Sequence, residues 1–212
     1  MKNLTESEDR ELCKLQYSVD YQKIEELAKK AGRLLPVKNN NYVLLSPALF
    51  KEGSGERRWA ELWERCGGTG FFHSNQDSSK VYAFILEKNV PEDFREFVAQ
   101  HELSEPWYIP PAGVDDTSIG EHAHAFAAEQ ELIEVFEKGK EFAIRYVSWL
   151  PEDYFEQIEP GASRNIKPGS GLEMLAEVVE LLCSIGLYRQ SMWLRDFPWL
   201  REAKKYASGQ IK

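Results

Sequence analysis

The stretch Val81-Tyr82-Ala83-Phe84-Ile85-Leu86 decides the predicted fold, because its apolar residues occupy both alternating positions of a strand. Successive side chains of a β-strand point to opposite faces, so a strand that is apolar at every position must be covered on both faces. A second strand, Phe71-Phe72, precedes it across the polar turn at 74–79. The pattern therefore predicts that 81–86 lies in the interior of a sheet that helices cover.

Further elements surround these two strands. Residues 19–32 have apolar side chains at helical spacing, with Asp20 as the N-cap, and a second helix over 56–66 ends at Gly67-Gly68. The apolar run 42–45 is typical of a short strand. Helices and strands do not alternate regularly, so we expect an α+β fold, in which a small mixed or antiparallel sheet is packed by helices.

A helix is predicted after strand 81–86, with Pro91 in its first turn and its end at Glu105, because Pro106 cannot continue it. At about 100° per residue, one stripe of this helix faces the core. The stripe comprises Phe94, Phe97, Val98, His101 and Glu105. His101 and Glu105 are its polar end, and their four-residue spacing lets both side chains reach one ion.

The next predicted helix begins with Ser118 as N-cap and Glu121 three residues later, which is a capping box. Two polar residues of this helix, His122 and Glu129, interrupt its core-facing stripe. The apolar members of the stripe are Ala125, Phe126, Ile133 and Phe136. His124 points nearly the opposite way, so we expect it to be solvated and dispensable. If the two helices pack together, the polar residues of both stripes converge.

These residues resemble the core of a zincin-type metallopeptidase domain over about residues 80–131, with a strand, a helix carrying His101-Glu102-x-x-Glu105 and a downstream histidine. The resemblance implies that His101 and His122 bind zinc or another divalent metal and that Glu102 is the general base. The family has histidine where this chain has Glu105. A carboxylate can also bind zinc, and two histidines with one glutamate form a known catalytic ligand set.

The resemblance implies a metal-dependent hydrolase that cleaves a peptide or other amide bond, with a peptide or protein as substrate. Glu129 is then a second-shell residue or an alternative ligand. The alternative is a non-catalytic protein-interaction or regulatory module, in which the His/Glu cluster is a structural polar core. In that case His101–Glu129 or His122–Glu105 would be buried hydrogen-bonded pairs.

Composition excludes several classes of protein. A net charge of −9 argues against a nucleic-acid partner, which requires a clustered basic surface. No run of about 18 apolar residues is present, so we expect no membrane span. The polar N-terminus lacks the apolar stretch of a secretory signal, and the three cysteines are far apart, so we expect a reduced, cytoplasmic protein. Gly67-Gly68-Thr69-Gly70 lacks the lysine of a phosphate-binding loop, and we expect no nucleotide cofactor.

The domain organisation is predicted as an α+β domain over 1–164 and a helical C-terminal extension over 165–212, or as one domain over 1–212. A broad apolar face follows the break at Pro168-Gly169, and an aromatic-rich tail comes after it. We expect this tail to pack on the main domain, since large apolar residues are mostly buried. The oligomeric state is left open by the sequence.

Overall fold

The computed structural model describes residues 4–74, 80–107 and 119–150, apart from some side chains in the last of these ranges. The helices are α1 (Glu6–Gln16), α2 (Tyr21–Lys30), α3 (Gly55–Cys66), α4 (Arg95–Ser104), α5 (Ile119–Glu137) and α6 (Lys140–Trp149). The strands are β1 (Leu34–Val37), β2 (Asn40–Leu45), β3 (Gly70–Ser74) and β4 (Val81–Leu86). The chain divides into two compact units, Met1–Pro106 and Trp107–Lys212.

The first unit contains a four-stranded mixed sheet with the strand order β1-β2-β4-β3. β1 and β2 are antiparallel, β2 and β4 are parallel, and β3 and β4 are antiparallel. β4 therefore lies between two other strands, as predicted from its apolar sequence, and all its residues after Val81 are buried. The α+β fold class is confirmed.

Helices cover the two faces of this sheet. Tyr82, Phe84 and Leu86 of β4 belong to the main core, which they share with residues of α1, α2 and α3. Ala83 and Ile85 alternate with them and so point to the other face. α4 packs on β3 and β4. A Cβ atom placed on Gly70 of β3 would contact both Glu102 of α4 and Ile85 of β4, so Glu102 lies on the same face of the sheet as Ile85. The candidate site on α4 thus lies on the face of the sheet opposite the main core.

Local signals explain where most helices begin and end. The Asp20 carboxylate accepts a hydrogen bond from the main-chain N–H of Lys23 at 3.0 Å and begins α2, as predicted. Gly67 has φ of 80° and ends α3, since a left-handed residue after the last turn is easiest for glycine. The sequence analysis missed α1, although Thr5 and Glu8 form a capping box at its start.

The helix around His101 is shorter than predicted. Glu92–Phe94 forms a 3-10 turn, the α-helix covers Arg95–Ser104, and Glu105–Trp107 forms another 3-10 turn. Pro106 lacks a main-chain N–H and disfavours the helical conformation in the residue before it, so the chain tightens at Glu105. Glu105 nevertheless keeps right-handed helical angles, with φ −50° and ψ −47°, so its side chain continues the stripe of α4.

In the second unit, the described residues form two helices joined at Gly139, which has φ of 96°. The predicted N-cap Ser118 lies outside the described residues, as do the turn at 75–79, the boundary near residue 165 and the aromatic-rich tail. Among the described residues, no helix combines the length and the apolar character needed to cross a membrane.

Candidate metal centre

The middle of α4 is buried on every side. Each residue from Phe97 to Leu103 is buried, including three consecutive polar residues, Gln100, His101 and Glu102. A helix with one exposed face would show buried residues only at three- and four-residue spacing. Burial of polar groups costs free energy unless they are paired, so the surroundings of these three side chains define the candidate site.

His101 and Glu105 lie together on α4. The His101 ring is 4% exposed and the Glu105 side chain 17% exposed, and the His101 Nε2 and Glu105 Oε1 atoms are 2.9 Å apart. Phe94, Phe97 and Val98 of the predicted stripe are buried, but residues outside the stripe are buried as well, so the stripe is not the only buried face of α4. The helix thus presents an imidazole nitrogen and a carboxylate oxygen side by side, which are two of the ligand types that suit zinc.

Glu102 lies against the sheet. Its side chain is buried, and its Oε1 would be 3.0 Å from a Cβ atom placed on Gly70 of β3. One step along a helix turns the side-chain direction by about 100°, so Glu102 flanks the His101–Glu105 pair, which agrees with the predicted flanking position. Its role as a general base stays a prediction.

We expect Gly70→Ala to destabilise the first unit by about 1–3 kcal/mol, as overpacking does. The added Cβ would lie 2.9 Å from Ile85 Cδ1 and 3.1 Å from the main-chain oxygen of Phe84, which cannot move away. The measurement is urea unfolding followed by circular dichroism. Gly55→Ala is the matched control, because its nearest contact would be an ordinary 3.7 Å to Leu15. Equal stability of the two variants would show that β3 has room beside α4.

His124 on α5 is half-buried, and its Nε2 atom is buried. The prediction that His124 is solvated is wrong. Residues three, four, seven, eight and eleven positions further along share its side of the helix, and all are buried. They are Ala127, Ala128, Glu131, Leu132 and Val135. Apolar residues therefore occur on two sides of α5. The apolar stripe predicted from the sequence, which includes Phe126 and Phe136, is not the only apolar side of this helix.

The side chains of His122 and Glu129 lie outside the described residues. Their predicted roles as metal ligand and as second-shell or alternative ligand therefore stay predictions. The fourth histidine, His73, lies in β3, where its ring stacks on Tyr21 with 3.6 Å between the centroids. Burial lowers the pKa of the His73 imidazole, which favours the neutral ring in this stack.

The sequence analysis missed a buried carboxylate on α5. Glu131 is 2% exposed and accepts a hydrogen bond from the hydroxyl group of Tyr146, which is fully buried on α6. The only available signal was its seven-residue spacing from His124, which places both residues on one side of α5. This hydrogen bond satisfies the glutamate and links the two described helices of the second unit.

Three described residues, His101, Glu105 and His124, each offer a ligand atom suitable for a metal ion. Imidazole and carboxylate groups also suit several divalent metals, so the donor atoms do not identify zinc. No known protein family, curated protein or solved structure matches this chain. The resemblance to zincin-type domains thus rests on the sequence pattern over about residues 80–131 alone.

Proposed function

We propose that this protein is a metal-dependent hydrolase that cleaves a peptide or other amide bond, with His101 and Glu105 as two ligands of a divalent ion. The observation that carries the proposal is the pair on α4, in which Nε2 of the buried His101 and Oε1 of the half-buried Glu105 are 2.9 Å apart. A surface pair of this kind would be unremarkable for an acidic chain. Here the histidine is 4% exposed, and placing it in the interior requires a compensating interaction.

The third ligand in this proposal is a histidine of α5. His122 is the residue that the zincin-like motif implies as this ligand. A set of two histidines and one carboxylate leaves a coordination position for substrate or water, as catalytic sites require. Zinc fits this set, as do other divalent ions.

The chemistry follows from these roles. A bound divalent ion would polarise the carbonyl group of the scissile amide. Glu102 accepts the proton of the attacking water at its carboxylate and passes it to the leaving nitrogen, so that water is added across the C–N bond.

Metal titration tests the proposal directly. Protein purified without a histidine tag or chelator is expected to bind one zinc ion in calorimetry, with the content checked by elemental analysis. Because loss of a second-shell partner alone weakens binding about 10- to 100-fold, Glu105→Gln is expected to weaken zinc binding at least 100-fold. Glu96→Gln is the matched control, since it removes the same charge from an exposed position of α4.

The same titration shows which of the two histidines of α5, His122 or His124, is a zinc ligand. His122→Ala is expected to weaken zinc binding as Glu105→Gln does, whereas His124→Ala leaves it unchanged. The reverse result would make His124 the ligand and would contradict the assignment that the motif implies. A wild-type protein that binds no divalent ion would refute the proposal.

The second candidate function is a non-catalytic interaction module in which the polar residues of α4 are structural. It is favoured by the same 2.9 Å hydrogen bond, because that bond satisfies both His101 and Glu105 without an ion. In this case Glu105→Gln lowers the thermal stability of the protein, and adding zinc stabilises neither the wild type nor the variant. A ligand that binds only the folded state raises stability, so the melting temperature with and without zinc distinguishes the two candidates.

A further inference from the structure

α1 buries less of itself than the two helices beside it. All of its residues are described by the structure, and of these only Leu12 is buried, whereas α2 buries three residues and α3 four. Leu15, and Leu4 just before the helix, are partly buried against the main core. Burial of an apolar face supplies most of the stability of a packed helix, so polar contacts have a large share in holding α1 in place.

The polar contacts between α1 and α3 are ion pairs. The Glu11 carboxylate accepts two hydrogen bonds from the Arg58 guanidinium, at 3.1 and 2.8 Å. The Glu8 carboxylate accepts hydrogen bonds from the Arg65 guanidinium and lies 3.7 Å from that of Arg58. The side chains of both arginines are partly open to solvent, 37% exposed for Arg58 and 46% for Arg65. Such pairs are weak and are screened by salt, so the docking of α1 depends on ionic strength.

Glu8 also stabilises the start of α1. Its Oε2 atom accepts hydrogen bonds from the main-chain N–H and from the hydroxyl group of Thr5, both at 3.0 Å. The Thr5 hydroxyl oxygen accepts one from the main-chain N–H of Glu8 at 3.3 Å, which completes the capping box. Hydrogen bonds from Thr5 and Arg65 lower the pKa of the Glu8 carboxyl to about 2. One charged group thus both begins the helix and binds it to α3.

We propose that residues 5–16 are a detachable strap, which unwinds and leaves α3 as one unit while the rest of the first unit stays folded. Because Glu8 serves the cap and the ion pairs together, weakening either set of contacts weakens the other. α1 contributes no strand to the sheet, so its release leaves the hydrogen bonds between the strands intact. Release exposes the part of the main core that Leu12 covers. Local opening of this kind is typical of elements with few buried apolar contacts.

Salt, and not mild acid, is the condition that releases the strap. The Glu8 carboxyl has a pKa near 2 in the folded protein and an ordinary value of 4.5, so its contribution is complete above about pH 4.5. That contribution is lost only as the pH falls toward 2. High salt acts at neutral pH, because the screening length falls from about 10 Å at 0.1 M to about 3 Å at 1 M.

Hydrogen exchange at individual amides of the full chain, followed by NMR, tests the proposal. At 0.1 M sodium chloride and pH 7, the amides of the last two turns of α1 are expected to exchange together, through an opening that leaves the amides of β4 protected. At 1 M sodium chloride the exchange of α1 is expected to be about 10-fold faster, because screening weakens all the ion pairs at once. The amides of β4, an interior strand, are the internal control.

Glu8→Gln removes the charge from the cap and from the ion pairs, and it is expected to speed exchange throughout α1 by about 10-fold. Glu6→Gln is the matched control. Glu6 lies in the same turn and pairs with Arg10 of the same helix, so its replacement should speed exchange by no more than about 2-fold.

Two further variants separate release of the whole strap from fraying of its first turn. Thr5→Ala removes the cap and keeps the ion pairs, and it is expected to speed exchange in the last turn, at residues 14–16. Glu11→Gln removes the pair with Arg58 and keeps the cap, and it is expected to speed exchange at Asp9, whose N–H donates to the main-chain oxygen of Thr5 at 2.9 Å.

Three results would overturn the proposal. If the amides of α1 exchange as slowly as those of β4, α1 opens only when the whole unit unfolds. If the effect of Thr5→Ala stops at the first turn, the helix frays and does not leave as one unit. If neither 1 M salt nor Glu8→Gln speeds exchange, the ion pairs do not hold α1 in place.

Discussion

Glu102→Gln is expected to lower the rate of amide hydrolysis by about 10²–10⁴-fold, which is the usual contribution of a general base. Glutamine has nearly the same shape as glutamate but does not accept a proton from water. The variant should keep its zinc, since Glu102 flanks the proposed ligands and is not one of them. The measurements are zinc content and the cleavage of a fluorogenic peptide library by the metal-loaded protein.

Two comparisons make this result interpretable. Glu96→Gln removes a carboxylate from an exposed position of the same helix and should leave the rate unchanged. The Glu102 carboxylate is buried against Gly70, so thermal unfolding must be measured in parallel. An early-melting variant with normal activity would make Glu102 a structural residue, and a stable, metal-loaded variant with an unchanged rate would assign the base to another group.

Trp59→Ala is expected to destabilise the first unit by about 3–5 kcal/mol, the range for large aromatic residues in a core. Trp59 is fully buried on α3. Its ring meets those of Tyr21, Phe71 and Phe84 edge to face, at centroid distances of 6.1, 5.6 and 6.1 Å. The substitution leaves a cavity that these rigid rings do not fill. Urea unfolding monitored by circular dichroism measures the loss.

The exposed Trp107 provides the control for this prediction. It is 65% exposed, so Trp107→Ala should change stability by less than about 0.5 kcal/mol. Trp59→Phe should fall between the two, because it keeps part of the ring packing. A Trp59→Ala variant as stable as Trp107→Ala would mean that the aromatic cluster is not the core of the unit.

Much of the fold was predictable because its signals are local. The apolar run of β4 predicted an interior strand, and Asp20 and Gly67 marked the limits of two helices. α1 was equally readable from Thr5 and Glu8, which form a capping box, but the signal was overlooked. The parallel pairing of β2 with β4 was not readable, because no local pattern specifies which strands become neighbours.

The candidate site shows the same division. The four-residue spacing of His101 and Glu105 on a core-facing stripe is a property of one helix, so the sequence by itself determined that they meet. The burial of His124 Nε2 and of Gln100 was decided by tertiary structure alone. α5 has apolar residues on both sides and the middle of α4 is buried on every side, so helical periodicity alone did not identify their buried faces or their partners. Which polar side chains become enclosed depends on what packs against a helix, and that information lies elsewhere in the chain.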